Sequence, residues 1–171
     1  MTLQATFTAN LNMIQSGANA FADRLSDDVA FSQKLTDGTG AGNADLLYVA
    51  ERTVATATDD DIDLAGVLSD VFGTTLTFAE LVGILIINKQ KDGTANTTDL
   101  TIGGGSNPFV GFLGGTTPTV GPIKPGGMFM LMSPDAAGIG TVTAGTGDIL
   151  RITNSAGASN TYQIAIVGRS A

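Results

Sequence analysis

From Asn43 to the C-terminus, apolar and polar positions alternate with a period of two, the pattern of strands that bury one face. Ile149, Arg151 and Thr153 fall on one side of a short segment, and Leu150 and Ile152 on the other. Tyr162, Ile164 and Ile166 share a face, as do Met128, Met130 and Met132 opposite Phe129 and Leu131. Ile84 to Ile87 is continuously apolar, which predicts a central strand covered on both sides. The pattern predicts strands over 46–57, 62–64, 76–88, 98–102, 109–113, 120–123, 128–132, 141–143, 149–153 and 161–167. A core containing Ile84, Ile86, Leu131, Ile152 and Ile164 follows from it.

The segments between these runs carry turn chemistry. Asp92-Gly93 is a strong hairpin signal. Gly103-Gly104-Gly105, Gly114-Gly115, Pro125-Gly126-Gly127, Pro134-Asp135 and Ala156-Gly157 punctuate the rest. Short strands at intervals of about 8–12 residues indicate a sandwich or barrel and not βαβ units. The fold class read from the pattern is therefore mainly β: an antiparallel β-sandwich, jelly-roll-like, over 43–171. The stretch 66–73 reads as a short helical turn with an apolar face.

Residues 1–42 read differently, as an arm, helical or extended. Residues 1–16 show no clear period. Ala18, Phe21, Ala22, Leu25 and Val29 then recur at steps of three and four, which predicts a helix over 18–35. Asp37-Gly38-Thr39-Gly40-Ala41-Gly42 follows as a hinge. A helix of this length needs a surface to pack against. Its own domain and a neighbouring chain both qualify, and the neighbour is the preferred reading, with Phe21, Leu25 and Val29 as assembly anchors.

Composition narrows the function. The 171 residues are enough for one core, since a folded chain of this size buries about two-thirds of its surface. Hydrophobic residues make up 43% and charged residues 14%, against a usual charged share of about 25%. The mean hydropathy of +0.24 suggests apolar surface hidden between subunits of a homo-oligomer. Net charge is −8, which disfavours a grip on phosphate backbones. Lys89 and Lys91 beside the Asp-Gly turn do not make a basic patch; they suit a blunted strand end. The longest aliphatic run, 81–87, is too short for a membrane span, and no signal peptide is visible, so synthesis in the cytoplasm is expected.

The absence of His and Cys removes the Ser-His and Cys-His nucleophile pairs and the usual zinc sites. No Ser-x-x-Lys motif is present. A two-carboxylate glycosidase centre needs a deep cleft that this length hardly provides, so the expectation is a protein without catalytic residues or cofactor. The densest acidic patch, Asp59-Asp60-Asp61-Ile62-Asp63, makes Asp59, Asp61 and Asp63 calcium candidates. It departs from the EF-hand pattern, and the plainer reading is a solvated acidic turn. The glycine-rich segments lack the Gly-Lys-Ser/Thr ending of a phosphate loop.

Several motifs in succession carry a resemblance: Asp37 to Asp45 leading into Arg52-Thr53-Val54; Asp63-Leu64-Ala65-Gly66 before Phe72-Gly73 and Leu76-Thr77-Phe78-Ala79; then Pro125-Gly126-Gly127, Pro134-Asp135-Ala136-Ala137-Gly138, and Asp148-Ile149-Leu150 with Ile152-Thr153-Asn154. Over 37–168 the chain resembles small β-sandwich virion proteins of tailed bacteriophages and prophages. The resemblance implies a non-enzymatic virion protein, first of all a capsid decoration (cement) protein. Its expected partners are further copies of itself, as a homotrimer, and other virion proteins such as the major capsid protein, without direct contact to nucleic acid or membrane. The alternative it implies is a tail or fibre component that binds a receptor or carbohydrate. Such modules favour exposed aromatic platforms, whereas this chain has no Trp and only Tyr48 and Tyr162 as tyrosines.

Overall fold

The computed structural model describes residues 2–16, 24–116 and 118–171, and among these every regular element is a β-strand. The first two, β1 (Ala5–Ser16) and β2 (Arg24–Leu35), form a long antiparallel hairpin in unbroken register from Ala5 opposite Leu35 to Ser16 opposite Arg24. The helix expected over 18–35 is thus corrected to strand from Arg24 onward; the remainder of that expectation lies outside the described residues. Leu25 and Val29, four apart, fit a helix or a strand equally. Phe31 and Leu35 continue the even spacing of a strand, and β1 supplies a partner of matching period. In β1, Ala5, Phe7, Ala9, Leu11 and Met13 alternate with Thr6, Thr8, Asn10 and Asn12.

The remaining strands are β3 (Leu46–Val54), β4 (Asp59–Asp63), β5 (Ala65–Ser69), β6 (Thr75–Thr77), β7 (Glu80–Ile87), β8 (Leu100–Gly103), β9 (Thr119–Ile123), β10 (Met128–Met132), β11 (Gly140–Thr141), β12 (Ile149–Asn154) and β13 (Asn160–Arg169). One sheet has the order β10-β7-β13-β3, with β11 also on β7; the other runs β4-β12-β8-β9. All these pairings are antiparallel. β5 and β6 form a separate two-stranded ribbon, which replaces the helical turn expected over 66–73. The strand expected over 109–113 is also corrected: Phe109 is buried, but 111–113 form a turn. A Cβ on Gly111 would lie 2.5 Å from Gly140 Cα, so the chain turns there at close backbone contact.

The two sheets share one core, in a sandwich-like arrangement. Tyr48, Ile84, Ile86, Tyr162, Ile164 and Ile166 from the first meet Ile62, Leu100, Ile102, Ile123, Leu150 and Ile152 from the second. Alternation sends every second residue inward, as expected for these strands. Of the core expected from sequence, Ile84, Ile86, Ile152 and Ile164 are buried, and Leu131 is half-buried against them. The Asp92-Gly93 turn has the predicted chemistry: Gly93 takes φ +94°, and Asp92 Oδ1 accepts the Thr94 N–H at 2.8 Å.

The first sheet also has an apolar outer face. Val82 and Val167 belong to a second buried cluster with Phe7, Leu35 and Ala44, against which Leu47, Met130 and Met132 pack. The base of the hairpin is therefore seated on this outer face. Gly83 makes the close approach: a Cβ there would stand 2.4 Å from the tip of the Phe7 ring. The Thr36–Asn43 bridge closes the loop that follows, and Gly42 N–H donates to the Pro134 carbonyl at 2.6 Å.

Candidate functional site

Beyond its base, residues 8–14 and 27–32 of the hairpin are all exposed. The face that carries Phe7 and Leu35 continues through Leu11, Met13, Val29 and Phe31, because positions two apart on paired strands share a side. Leu11 is 59% exposed, Val29 62% and Phe31 47%. Leu11 and Val29 are directly opposite each other, as are Ala9 and Phe31. The result is an uncovered apolar stripe on a two-stranded arm, and such a patch marks a surface that meets another surface. Two strands alone are marginal in water.

The outer face of the first sheet is a second apolar surface that the described residues leave partly uncovered, beside the exposed Val67, Val71 and Phe72 of the β5–β6 ribbon. Past the seated base, Val49, Leu85, Ile87 and Ala165 line a shallow recess of about 370 Å³ with Gln163, Glu51 and Lys91 at its border. Met128, opposite Ile87 on the far edge, is also exposed. Val71, on the turn between β5 and β6, lines this recess and also a cleft of about 650 Å³ bounded by Leu3, Asp37, Asp45 and Phe72.

The predicted site residues fall as follows. Val29 lies on the exposed stripe; Leu25 is in β2 opposite Gln15; Phe21 is outside the described residues. Asp59, Asp61 and Asp63 occupy alternate positions of β4. Arg151 on β12 ion-pairs with Asp59 at 2.9 Å and holds both oxygens of Asp61, at 2.6 and 2.7 Å. The guanidinium keeps the Asp61 carboxyl below its ordinary range. Asp63 Oδ1 accepts the Ala65 N–H at 2.8 Å. Asp59 and Asp61 thus tie β4 to β12, whereas Asp63 makes a local bond, and among the described residues no three His, Cys, Asp or Glu side chains are grouped to hold a metal ion.

Asp60 points the other way, toward the core side. It accepts two hydrogen bonds from Arg52, at 2.6 and 2.5 Å, and one from the Tyr162 hydroxyl at 2.7 Å; Arg52 also donates to Tyr48 Oη at 2.9 Å. The bond to Asp60 drives the Arg52 pKa further up, and burial beside that carboxylate lifts the Tyr162 phenol well above its usual value. Both tyrosines are consequently interior and provide no binding platform.

Two further polar centres were invisible in the linear sequence, since each joins residues far apart along it. Asn88, Asn96 and Asn160 form a buried amide cluster: Asn96 donates to Asn88 and Asn160 at 2.9 Å each, and Asn160 donates to Asn88 at 2.9 Å. Arg169 is fully buried. It ion-pairs with Glu80 at 2.9 Å and donates to the carbonyls of Asn43, Asp135 and Ala136. Both centres have the closed, mutually satisfied geometry of structural pins. Compared with models of known protein families, with curated proteins and with solved structures, the chain matches none of them.

Proposed function

We propose that this chain is a non-enzymatic structural protein of a tailed-phage virion that works by self-association, as a capsid decoration protein in a symmetric homo-oligomer, most simply a trimer. The observation that carries the reading is the arm: Leu11, Met13, Val29 and Phe31 form an apolar stripe held away from the domain. Surface of that kind is stable when a partner covers it. A jelly-roll reading of the domain agrees. Strands β3 and β4, β7 and β8, β9 and β10, and β12 and β13 follow each other directly from one sheet to the other, so the order β10-β7-β13-β3 is mirrored by β9-β8-β12-β4. Jelly rolls occur in viral capsid domains but also in lectins and cupins, so this support is by analogy of fold.

A second reading, a tail or fibre module that binds a receptor or carbohydrate, draws on the cleft beside Phe72, which is 72% exposed. The cleft's carboxylates weaken it. Asp37 accepts the Leu3 N–H, Asp45 accepts from Ser170, and Asp70 accepts the N–H groups of Phe72 and Thr74.

The reading is tested by light scattering after size exclusion. The expected mass is a multiple of 17.3 kDa at tens of micromolar. A monomer throughout that range contradicts self-association.

A further inference from the structure

We infer that the exposed stripe of the hairpin docks on the uncovered outer face of the first sheet in a second copy of this chain, so that copies are joined by exchanged arms. The inference rests on the self-association proposed above and names the two surfaces that meet. Three observations carry it.

The first is continuity. The base of the hairpin already sits on this sheet face, with Phe7 over Gly83 and Leu35 in the same cluster as Val82 and Val167. The stripe of Leu11, Met13, Val29 and Phe31 extends the docked hairpin face, and the recess of Val49, Leu85, Ile87 and Ala165 extends the docked sheet face. Both are left over by the same intramolecular contact. A sheet-on-sheet contact that works within one chain can be repeated between two.

The second is charge. Asp27 lies opposite Met13 on the stripe, toward the tip, and Asp28 follows it. Lys91 borders the recess, with Lys89 two residues before it. Neither lysine takes part in an ion pair among the described residues, where Arg52, Lys124, Arg151 and Arg169 each have a carboxylate partner. Asp27 and Asp28 repel the same pair on another arm, which disfavours arm against arm, while at the recess Glu51, which accepts the Lys91 N–H at 2.6 Å, offsets the charge of Lys91.

The third is area. Residues 8–14 are all exposed, an overhang of about 24 Å on a ribbon roughly 10 Å wide. Each arm-to-sheet contact buries roughly 500 Å² over both surfaces, so a closed trimer with three exchanged arms buries roughly 1,500 Å² in all but only about 500 Å² per pair of copies, below the usual range of stable interfaces. Association of isolated copies is therefore modest, and it strengthens where many copies are held together.

Two double variants of the full chain test this. Leu11→Asp with Phe31→Asp spoils the arm, and Val49→Glu with Met128→Glu spoils the sheet face. All four side chains are at least 47% exposed, so each variant should keep a strand-type circular dichroism spectrum and, at a dilution where the parent is also dissociated, the parental unfolding midpoint. Should either lose it, serine at the same positions replaces the acids. Each variant alone is expected to be a monomer at a concentration where the parent associates. An equimolar mixture should associate again, because one sound arm meets one sound sheet, with an apparent dissociation constant at least tenfold weaker than the parent's. If the parent associates but the sheet variant keeps the parental mass, or the mixture stays monomeric, arm-to-sheet docking is overturned while self-association stands. A monomeric parent removes both.

Discussion

Arg169→Ala is expected to destabilise the protein by about 3–5 kcal/mol, the usual cost of removing one partner from a buried ion pair. The guanidinium is fully enclosed. Its loss leaves the Glu80 carboxylate and the carbonyls of Asn43, Asp135 and Ala136 without their donor. It joins the last residues of β13 to the start of β7 and to the two loops that border the seated hairpin. Small domains are stable by only about 5–15 kcal/mol, so this is a large fraction of the total. Arg169→Lys should recover only part of it, because an ammonium cannot reproduce the fork that spans these acceptors. Equilibrium urea unfolding measures both variants. A loss below about 1 kcal/mol for Arg169→Ala would mean that water or a rearranged loop replaces the guanidinium.

Ile86→Ala and Ile164→Ala are each expected to cost about 2–5 kcal/mol, the range for truncating a buried Ile. The two residues are direct cross-strand partners on the inner face of the first sheet, 0% and 2% exposed. Each truncation leaves a cavity between sheets that strand hydrogen bonds prevent from collapsing. Because the two touch, the double variant should depart from the sum of the singles. Val49→Ala, on the outer face of the neighbouring β3, serves as the contrast and should change the midpoint of isolated protein little. If Ile86→Ala and Ile164→Ala both left the midpoint unchanged, the assignment of inner and outer faces would be wrong.

These two expectations differ in how far they can be read from the linear chain. The Ile pair was legible, because inner positions alternate with outer ones and Ile84, Ile86, Ile152 and Ile164 fall in register. The bounds of β10, Met128–Met132, are legible to the residue for the same reason. The arm is not legible, because a spacing of four residues satisfies a helix and a strand alike. Only Leu11, Phe31 and their neighbours, seen as a pair of strands, decide between them. Arg169 and the Asn88–Asn96–Asn160 cluster carried no local signal. Their partners come from the far side of the chain, and only the closed fold brings them together. The acidic run 59–63 has the composition of a turn or a calcium site. Its alternation across β4 sends Asp59 and Asp61 to Arg151, about ninety residues further on, and Asp60 inward to Arg52 and Tyr162.

The same alternation that builds the core leaves an apolar sheet face and an apolar arm unclosed by this chain alone, and the structural role proposed for the protein stands on that excess. Its most direct test is electron microscopy of purified particles from the strain that encodes the chain, probed with a gold-labelled antibody against the full-length protein. The account predicts label distributed regularly over the head surface. Particles that carry no label, from lysates in which the protein is abundant and free, would contradict it.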